Sequence, residues 1–134
     1  MRIKEKIEEI ERYLIELSDM IPIGFEEYIN DIKTKAACER YFEKIIGAVV
    51  DLAFLVIKER HLRLPEEDRE AFKILAEDEI INEELSIKLQ EAKGMKNILA
   101  HDYGIVDDKI VFDSIVDELG KDVKEFINRI SKLK

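Results

Sequence analysis

Apolar residues recur along this chain at intervals of three and four over most of its length, which is the period of an amphipathic α-helix. The first 21 residues show the pattern clearly, because charged side chains fill the positions between the apolar ones. The apolar positions there are Ile3, Ile7, Ile10, Leu14, Leu17 and Ile21. Pro22 and Gly24 end this pattern, and residues 25–28 are predicted to form a short helical turn.

A long helix is predicted next, from about residue 32 to residue 60. Its middle, residues 45–57, is apolar around most of the helix circumference. Such a helix is buried on several sides, either inside a bundle or against a second subunit. Asp51 interrupts the apolar stretch, and a carboxylate in such surroundings needs an ion-pair or hydrogen-bond partner.

Three further helices are predicted from their start signals. Pro65, followed by acidic residues, marks the first of them, and Asn82 caps the second. Asp107 caps the last, which runs from about residue 108 to residue 132 and is predicted to bend at Gly120. No strand is predicted. The chain is therefore expected to be all-α, an up-down bundle of about five helices.

Length and composition narrow the class of protein. The chain has 134 residues with 31 acidic and 22 basic side chains, a net charge of −9, and its length fits a single domain over residues 1–134. This charge argues against a protein that coats nucleic acid non-specifically. The apolar run is too short for a membrane span. Cys38 is the one cysteine, which excludes an internal disulfide and favours a cytoplasmic location.

Residue types alone give one candidate for chemistry. Two histidines, His61 and His101, lie far apart in sequence and do not predict a zinc site. No glycine-rich phosphate loop is present, and no serine lies in a nucleophile-elbow context. His61 is interpreted as a helix C-terminal residue. His101 lies where a helix gives way to a loop, so it is either a capping residue or one that reaches a substrate.

The stretch around His101 resembles a family signature. Residues 94–103, GMKNILAHDY, are similar to the motif of HEPN-domain proteins of the HepT type (the DUF86 group), which is an arginine, four residues, a histidine, one residue and a tyrosine. His101 and Tyr103 match this motif, whereas Lys96 stands at the position of the arginine. The resemblance covers nearly the whole chain, because three more segments follow the family in order: residues 37–43, 64–76 and 106–112.

The resemblance implies a fold, an activity and partners. The family implies a helical bundle that forms homodimers, and it includes metal-independent endoribonucleases that act as toxins of type VII toxin–antitoxin pairs. Their antitoxin is a minimal nucleotidyltransferase, which uses ATP to add AMP to the motif tyrosine and silences the toxin. The chain itself is then expected to act on RNA, to use no cofactor or metal, and to bind neither DNA nor a membrane.

The resemblance also assigns roles to residues. His101 and Lys96 are the implied catalytic residues, and Tyr103 is the implied substrate contact and modification site. Asn97, Arg40 and Asp51 are secondary candidates. Arg40 and Lys44 lie one turn apart on the long helix, and they either face the cleft of the dimer or pair with Glu39 or Glu43.

The chemistry of the motif is coherent. A neutral histidine can take the proton of a ribose 2′-OH, and a cation can stabilise the charge that grows on the phosphate. Lys96 keeps the charge of the family arginine but loses its two-pronged donor geometry. Five positions along a helix correspond to about 500°, so Lys96 and His101 do not share a face of one helix.

Two alternatives to the ribonuclease remain open. One is a non-catalytic binding module that docks a nucleotidyltransferase or a nucleotide, because a lysine can still neutralise phosphate. The other is a purely structural helical oligomer in which His101 is a cap. The distribution of charge fits an RNA site, because residues 31–63 carry a net charge of +2 and residues 82–101 are neutral, whereas the rest of the chain is acidic.

Overall fold

The structure is a computed structural model, which describes residues 2–101 and 106–133. Within these ranges every regular element is helical, which confirms the all-α class. The helices are α1 (Arg2–Met20), α2 (Phe25–Asn30), α3 (Ile32–Glu59), α4 (Asp68–Glu77), α5 (Glu83–His101), α6 (Asp108–Asp113) and α7 (Gly120–Ser131). A π-helical stretch, Ser114–Leu119, joins α6 to α7 without a break. The described residues thus form six continuous helices. The sixth, beyond the five expected, is the short helix α2, where only a helical turn was predicted.

Helix α3 is the centre of the bundle. Its buried residues number eleven, from Cys38 to Ile57, because α1, α4 and α5 all pack against it. The predicted burial on several sides is therefore confirmed, and it arises within this chain. Among the described helices, α3 included, none combines the length and the apolar character that crossing a membrane requires.

One face of helix α1 packs against α3. Ile10 and Leu17 are its buried residues, and most of the remaining apolar positions of the predicted stripe pack partly buried against the core. The opposite face carries charge. One hydrogen bond also crosses between the two helices, since the Tyr41 hydroxyl donates to Glu16 Oε1 at 2.8 Å.

Side chains cap two of the helices whose starts the sequence predicts. Asn82 Oδ1 accepts the backbone N–H of Leu85 at 2.8 Å, and Asp107 Oδ1 accepts that of Lys109 at 3.0 Å. Helix α4 begins at Asp68, three residues after Pro65. Pro65 therefore lies before the helix, and residues 66 and 67 separate it from the first helical turn.

The last helix departs from the α-helical pattern just before Gly120. The sequence predicts a bend at Gly120, and the structure places the end of the π-helical stretch there. Such stretches hold one more residue per hydrogen-bonded ring than an α-helix does. Asp122 follows on a buried position of α7, and its burial raises the pKa of this carboxyl.

Candidate functional site

Helix α5 carries the part of the motif from Lys96 to His101. Its start is fixed by the Asn82 cap and by Glu83 and Glu84 in the first turn, where acidic residues favour the positive end of the helix dipole. Its last residue is His101, which is exposed. Tyr103 lies outside the described residues.

Lys96 and His101 take different directions from α5. Lys96 is half-buried and lies against α3, since a Cβ atom on Gly47 would stand 3.7 Å from Lys96 Cε. The Lys96 side chain lines a groove between α1, α3 and α5, and His101 is not among the groove residues. The prediction that Lys96 and His101 do not share a face of α5 is thus confirmed.

The groove has a volume of about 630 Å³ and gathers polar side chains from four helices, α1, α3, α4 and α5. Five of its lining side chains are Lys or Arg and three are Asp or Glu, so it carries an excess of two positive charges in a chain of net charge −9. Its lining residues are Lys6, Glu9, Tyr13, Arg40, Lys44, Gly47, Ala48, Val50, Asp51, Phe54, Asp68, Lys93 and Lys96.

Helix α3 contributes a polar strip to this groove. Arg40, Lys44, Gly47 and Asp51 follow one another at spacings of four, three and four, so they lie on one face of the helix. All four line the groove, whereas most residues between them are buried. The structure therefore brings together three of the predicted site residues, Lys96, Arg40 and Asp51.

Asp51 has the partner that the sequence predicts, although its side chain is 63% exposed. Its carboxylate lies 3.6 Å from Lys6 Nζ, and the same ammonium donates to Glu9 at 2.7 Å. This hydrogen bond holds the pKa of Glu9 below its ordinary value. Lys6 is thus shared between two carboxylates, and its charge is largely neutralised within the groove.

Other groove cations are less neutralised. Arg40 lies 3.6 Å from Glu43 and is 69% exposed, so it both pairs with a neighbour and lines the groove. Within residues 2–101 and 106–133, no carboxylate lies within ion-pair distance of Lys44 or Lys96. These two ammonium groups give the groove its available positive charge.

Lys93 is a groove residue that the sequence analysis missed. It is 8% exposed, its ammonium donates to Asn97 Oδ1 at 2.8 Å, and it lies 3.3 Å from Asp68 Oδ2. An ammonium can only donate, so the carbonyl oxygen of Asn97 must face it and the Asn97 NH₂ group must face away. The motif asparagine is therefore held as a hydrogen-bond donor.

A signal for Lys93 was present in the sequence. The residue stands four positions after Leu89 and four before Asn97, on the buried side of α5, where a lysine needs a partner. Its partner Asp68 is on α4, and nothing in the spacing along one helix identifies it. The same holds for Lys6 and Tyr13, which α1 brings into the groove.

Comparison with known proteins identifies the family. The chain matches the family described as ribonuclease HepT-like over residues 3–130, so it belongs to that family. It is 26% identical to the mRNA nuclease HepT of Shewanella oneidensis over 125 residues, which is 93% of this chain and 92% of that protein. It is also 26% identical to the tRNA nuclease HepT of Aphanizomenon flos-aquae over 113 residues, 84% of this chain and 77% of that protein.

A solved structure agrees with the family. The tri-AMPylated HEPN toxin of Shewanella oneidensis, in complex with the MNT antitoxin, superposes on this chain with a TM-score of 0.92 at 25% sequence identity. The match covers 98% of this chain and 97% of that one. The chain is therefore a HepT-like protein whose structural relatives are HEPN toxins.

We expect Lys93→Met to change the free energy of unfolding by less than about 1 kcal/mol, because Asp68 is half-exposed and water can solvate its carboxylate once the ammonium is gone. Lys93→Glu puts a second carboxylate beside Asp68 in a buried position, and we expect it to lose at least about 2 kcal/mol. Urea unfolding at one fixed protein concentration measures both. Equal losses for the two variants would contradict this account of the site.

Proposed function

We propose that this chain is the toxin of a type VII toxin–antitoxin pair, an endoribonuclease that cleaves RNA by attack of the ribose 2′-OH and needs no metal ion. The observation that carries the proposal is the groove, where Lys96 stands at the cation position of the motif with no carboxylate in ion-pair distance among the described residues. The helix that presents Lys96 ends at His101. The mRNA and tRNA nucleases among its relatives support an RNA substrate.

The proposed reaction uses one base and one cation. The neutral imidazole of His101 takes the proton of the 2′-OH, and the 2′ oxygen forms a bond to the adjacent phosphorus. The bond from phosphorus to the 5′ oxygen breaks, that oxygen leaves with a proton from water, and the imidazolium of His101 returns its proton to solvent. The products are a 2′,3′-cyclic phosphate and a 5′-OH end. Lys96 stabilises the negative charge that grows on the phosphate oxygens.

We propose that the active form is a homodimer. Lys96 and His101 project about 140° apart around α5, and His101 is not among the residues of the groove. A second copy related by a two-fold axis would bring its own motif to the same cleft, so that the base of one copy could work with the cation of the other. The one cleft that the two copies share would then hold two copies of each group.

Asn97 and Tyr103 are proposed as further substrate contacts. The NH₂ group of Asn97 faces away from Lys93 and can donate to a phosphate or to a base edge. Tyr103 follows His101 by two residues, and a tyrosine there can stack on a base or hydrogen-bond to the phosphate.

We propose that the antitoxin is a minimal nucleotidyltransferase that modifies Tyr103 in the cytoplasm. The Tyr103 oxygen would attack the α-phosphorus of ATP held by that partner, pyrophosphate would leave, and the phenol proton would pass to solvent or to the partner. A phosphodiester-linked AMP beside His101 adds negative charge and bulk where RNA must bind. The AMPylated toxin in complex with its antitoxin, among the structural relatives, supports this assignment.

One observation favours a second candidate function, a non-catalytic binding module. Lys96 cannot reproduce the two parallel hydrogen bonds that an arginine makes to phosphate, so a chain with lysine there can bind a nucleotide or a nucleotidyltransferase without cutting RNA. The two candidates differ in how they respond to substitution at Lys96.

We expect the chain to cut single-stranded RNA in the presence of a chelator, and His101→Ala to lower the rate at least about 100-fold, since a general base contributes that much or more. Product ends that carry a cyclic phosphate would identify the mechanism. His61→Asn is the matched control, because His61 is exposed and has a φ of 56°, which asparagine tolerates. Equal cleavage by His101→Ala and the wild type would remove His101 from the mechanism.

We expect Lys96→Arg to raise the cleavage rate and Lys96→Ala to abolish it, because the guanidinium adds a second hydrogen bond to the phosphate in the transition state. The same RNA assay measures both. Absence of cleavage by the wild type and by Lys96→Arg would favour the binding module. A structural oligomer would instead show only a cap-sized loss of stability in His101→Ala, about 1 kcal/mol, and no activity at all.

We expect co-expression with the proposed nucleotidyltransferase antitoxin to add one or more AMP units, which intact mass measures. Tyr103→Phe should abolish the addition because it removes the attacking oxygen. Tyr13→Phe, which keeps Tyr103, is the control and should be modified normally. Modification of Tyr103→Phe to the level of the wild type would place the acceptor at another residue.

A further inference from the structure

Two tyrosine rings and one lysine form a cluster at the α1 wall of the groove, which we name the tyrosine–lysine cluster (Tyr13, Tyr41 and Lys44). The ring centroids of Tyr13 and Tyr41 lie 6.1 Å apart, with the rings at 86° to one another. Lys44 Nζ lies 4.4 Å from the centroid of Tyr13 and 4.8 Å from that of Tyr41. Both distances are within the range of cation–π attraction.

The rings are held in place by their hydroxyl groups. Tyr41 donates to Glu16 at 2.8 Å and Tyr13 donates to Glu9 at 3.4 Å. The carboxylates of Glu16 and Glu9 are thus engaged by phenols, and neither forms an ion pair with Lys44. The lysine is positioned by ring faces, and among the described residues no oxygen atom accepts a hydrogen bond from its ammonium group.

The chemistry of the cluster selects the charge of its ligand. A cationic ligand is excluded, since Lys44 already lies against both rings and Arg12 lies 5.3 Å from the centroid of Tyr13. An apolar ligand would have to desolvate these cations without pairing them. An anion would meet an ammonium group that is already oriented and would pay little conformational entropy for the contact.

The position of the cluster selects a polyanion. Arg40 and Lys44 stand one turn apart on α3, about 6 Å along its axis, and Lys96 lines the same groove from α5. Cations on two walls of one groove suit a chain of phosphates better than a single phosphate.

We propose that the tyrosine–lysine cluster is a phosphate subsite of the RNA-binding groove, in which Lys44 contacts a backbone phosphate of single-stranded RNA away from the bond that is cut, and Tyr13 and Tyr41 position its ammonium group. The inference rests on the proposed RNA substrate, and it adds binding residues from α1 and α3 to the motif on α5.

Binding is measured in the His101→Ala background, so that the RNA stays intact. The probe is a labelled single-stranded oligoribonucleotide about ten nucleotides long, followed by fluorescence anisotropy over a series of salt concentrations. Lys44→Gln should weaken binding roughly tenfold at low salt and should reduce the slope of log K against log salt by about 0.7, which is the value of one phosphate contact on a single strand. Lys44→Arg should keep the slope of the parent.

The control is Lys58→Gln, which removes the same charge from the last turn of α3, about 21 Å away along the helix, and which should change neither affinity nor slope. Tyr13→Leu should weaken binding while Tyr13→Phe, which keeps the ring, should not. Thermal unfolding of every variant shows whether it is folded. If Lys44→Gln does not fold, Lys44→Met removes the same charge, keeps most of the length of the side chain, and should give the same loss of affinity and slope.

Equal affinity and slope for Lys44→Gln and Lys58→Gln would overturn the inference, and so would a Lys44-dependent affinity for ATP with RNA binding unchanged. Cleavage by the chain with His101 intact is measured in parallel. His101-dependent cleavage with Lys44-independent binding would refute the subsite and leave the proposed nuclease. Lys44-dependent binding without cleavage would refute the nuclease and leave the subsite.

Discussion

The covering of α3 by its neighbours determines where a ligand can reach this protein. Helices α1, α4 and α5 pack against α3 because its middle is apolar around most of its circumference. The strip of Arg40, Lys44, Gly47 and Asp51 is the polar face of that helix, and it borders the groove. In the middle of α3, residues 45–57, a charge on any other side would be buried, which costs about 2 kcal/mol or more unless it is paired. Burial of one helix thus concentrates the polar chemistry on a single face.

The groove also resolves the apparent conflict between an acidic chain and an RNA substrate. The net charge of −9 belongs to the whole molecule, and at physiological salt charges more than about 8 Å apart are largely screened from one another. A ligand in the groove responds first to Lys44 and Lys96, which have no carboxylate in ion-pair distance among the described residues. The acidic remainder limits non-specific attraction of RNA to other surfaces.

The sequence predicted those features that depend on one helix at a time. The bounds of α1, α3 and α5 and the caps Asn82 and Asp107 follow from local period and local hydrogen bonding. The angle between Lys96 and His101 also follows from α5 alone. Features that join two helices were not predictable in this way. The partner of Asp51 is on α1, and spacing along α3 says only that one is needed.

Contacts within the groove show the same limit. Lys93, which was not predicted, depends on Asp68 of α4, and Lys44, which was predicted together with Arg40, is oriented by Tyr13 of α1. Both contacts depend on how the helices pack, and packing between helices produces no periodic pattern in the sequence. The strip on α3 does produce one, because its polar positions recur at helical spacing inside an apolar segment. The position of the groove could have been inferred from this pattern.

The π-helical stretch between α6 and α7 ties chain length to orientation. Each residue of an α-helix turns the chain by about 100°, and a π-helical turn takes up one residue more than an α-helical turn. Loss of a single residue from Ser114–Leu119 would therefore turn this stretch into ordinary α-helix and leave Phe126 and Ile130 on their buried side. Loss of a residue within α7 would instead rotate the residues beyond it by about 100°. The π-helical stretch is thus the place in this helix where the residue count can change at least cost to the packing.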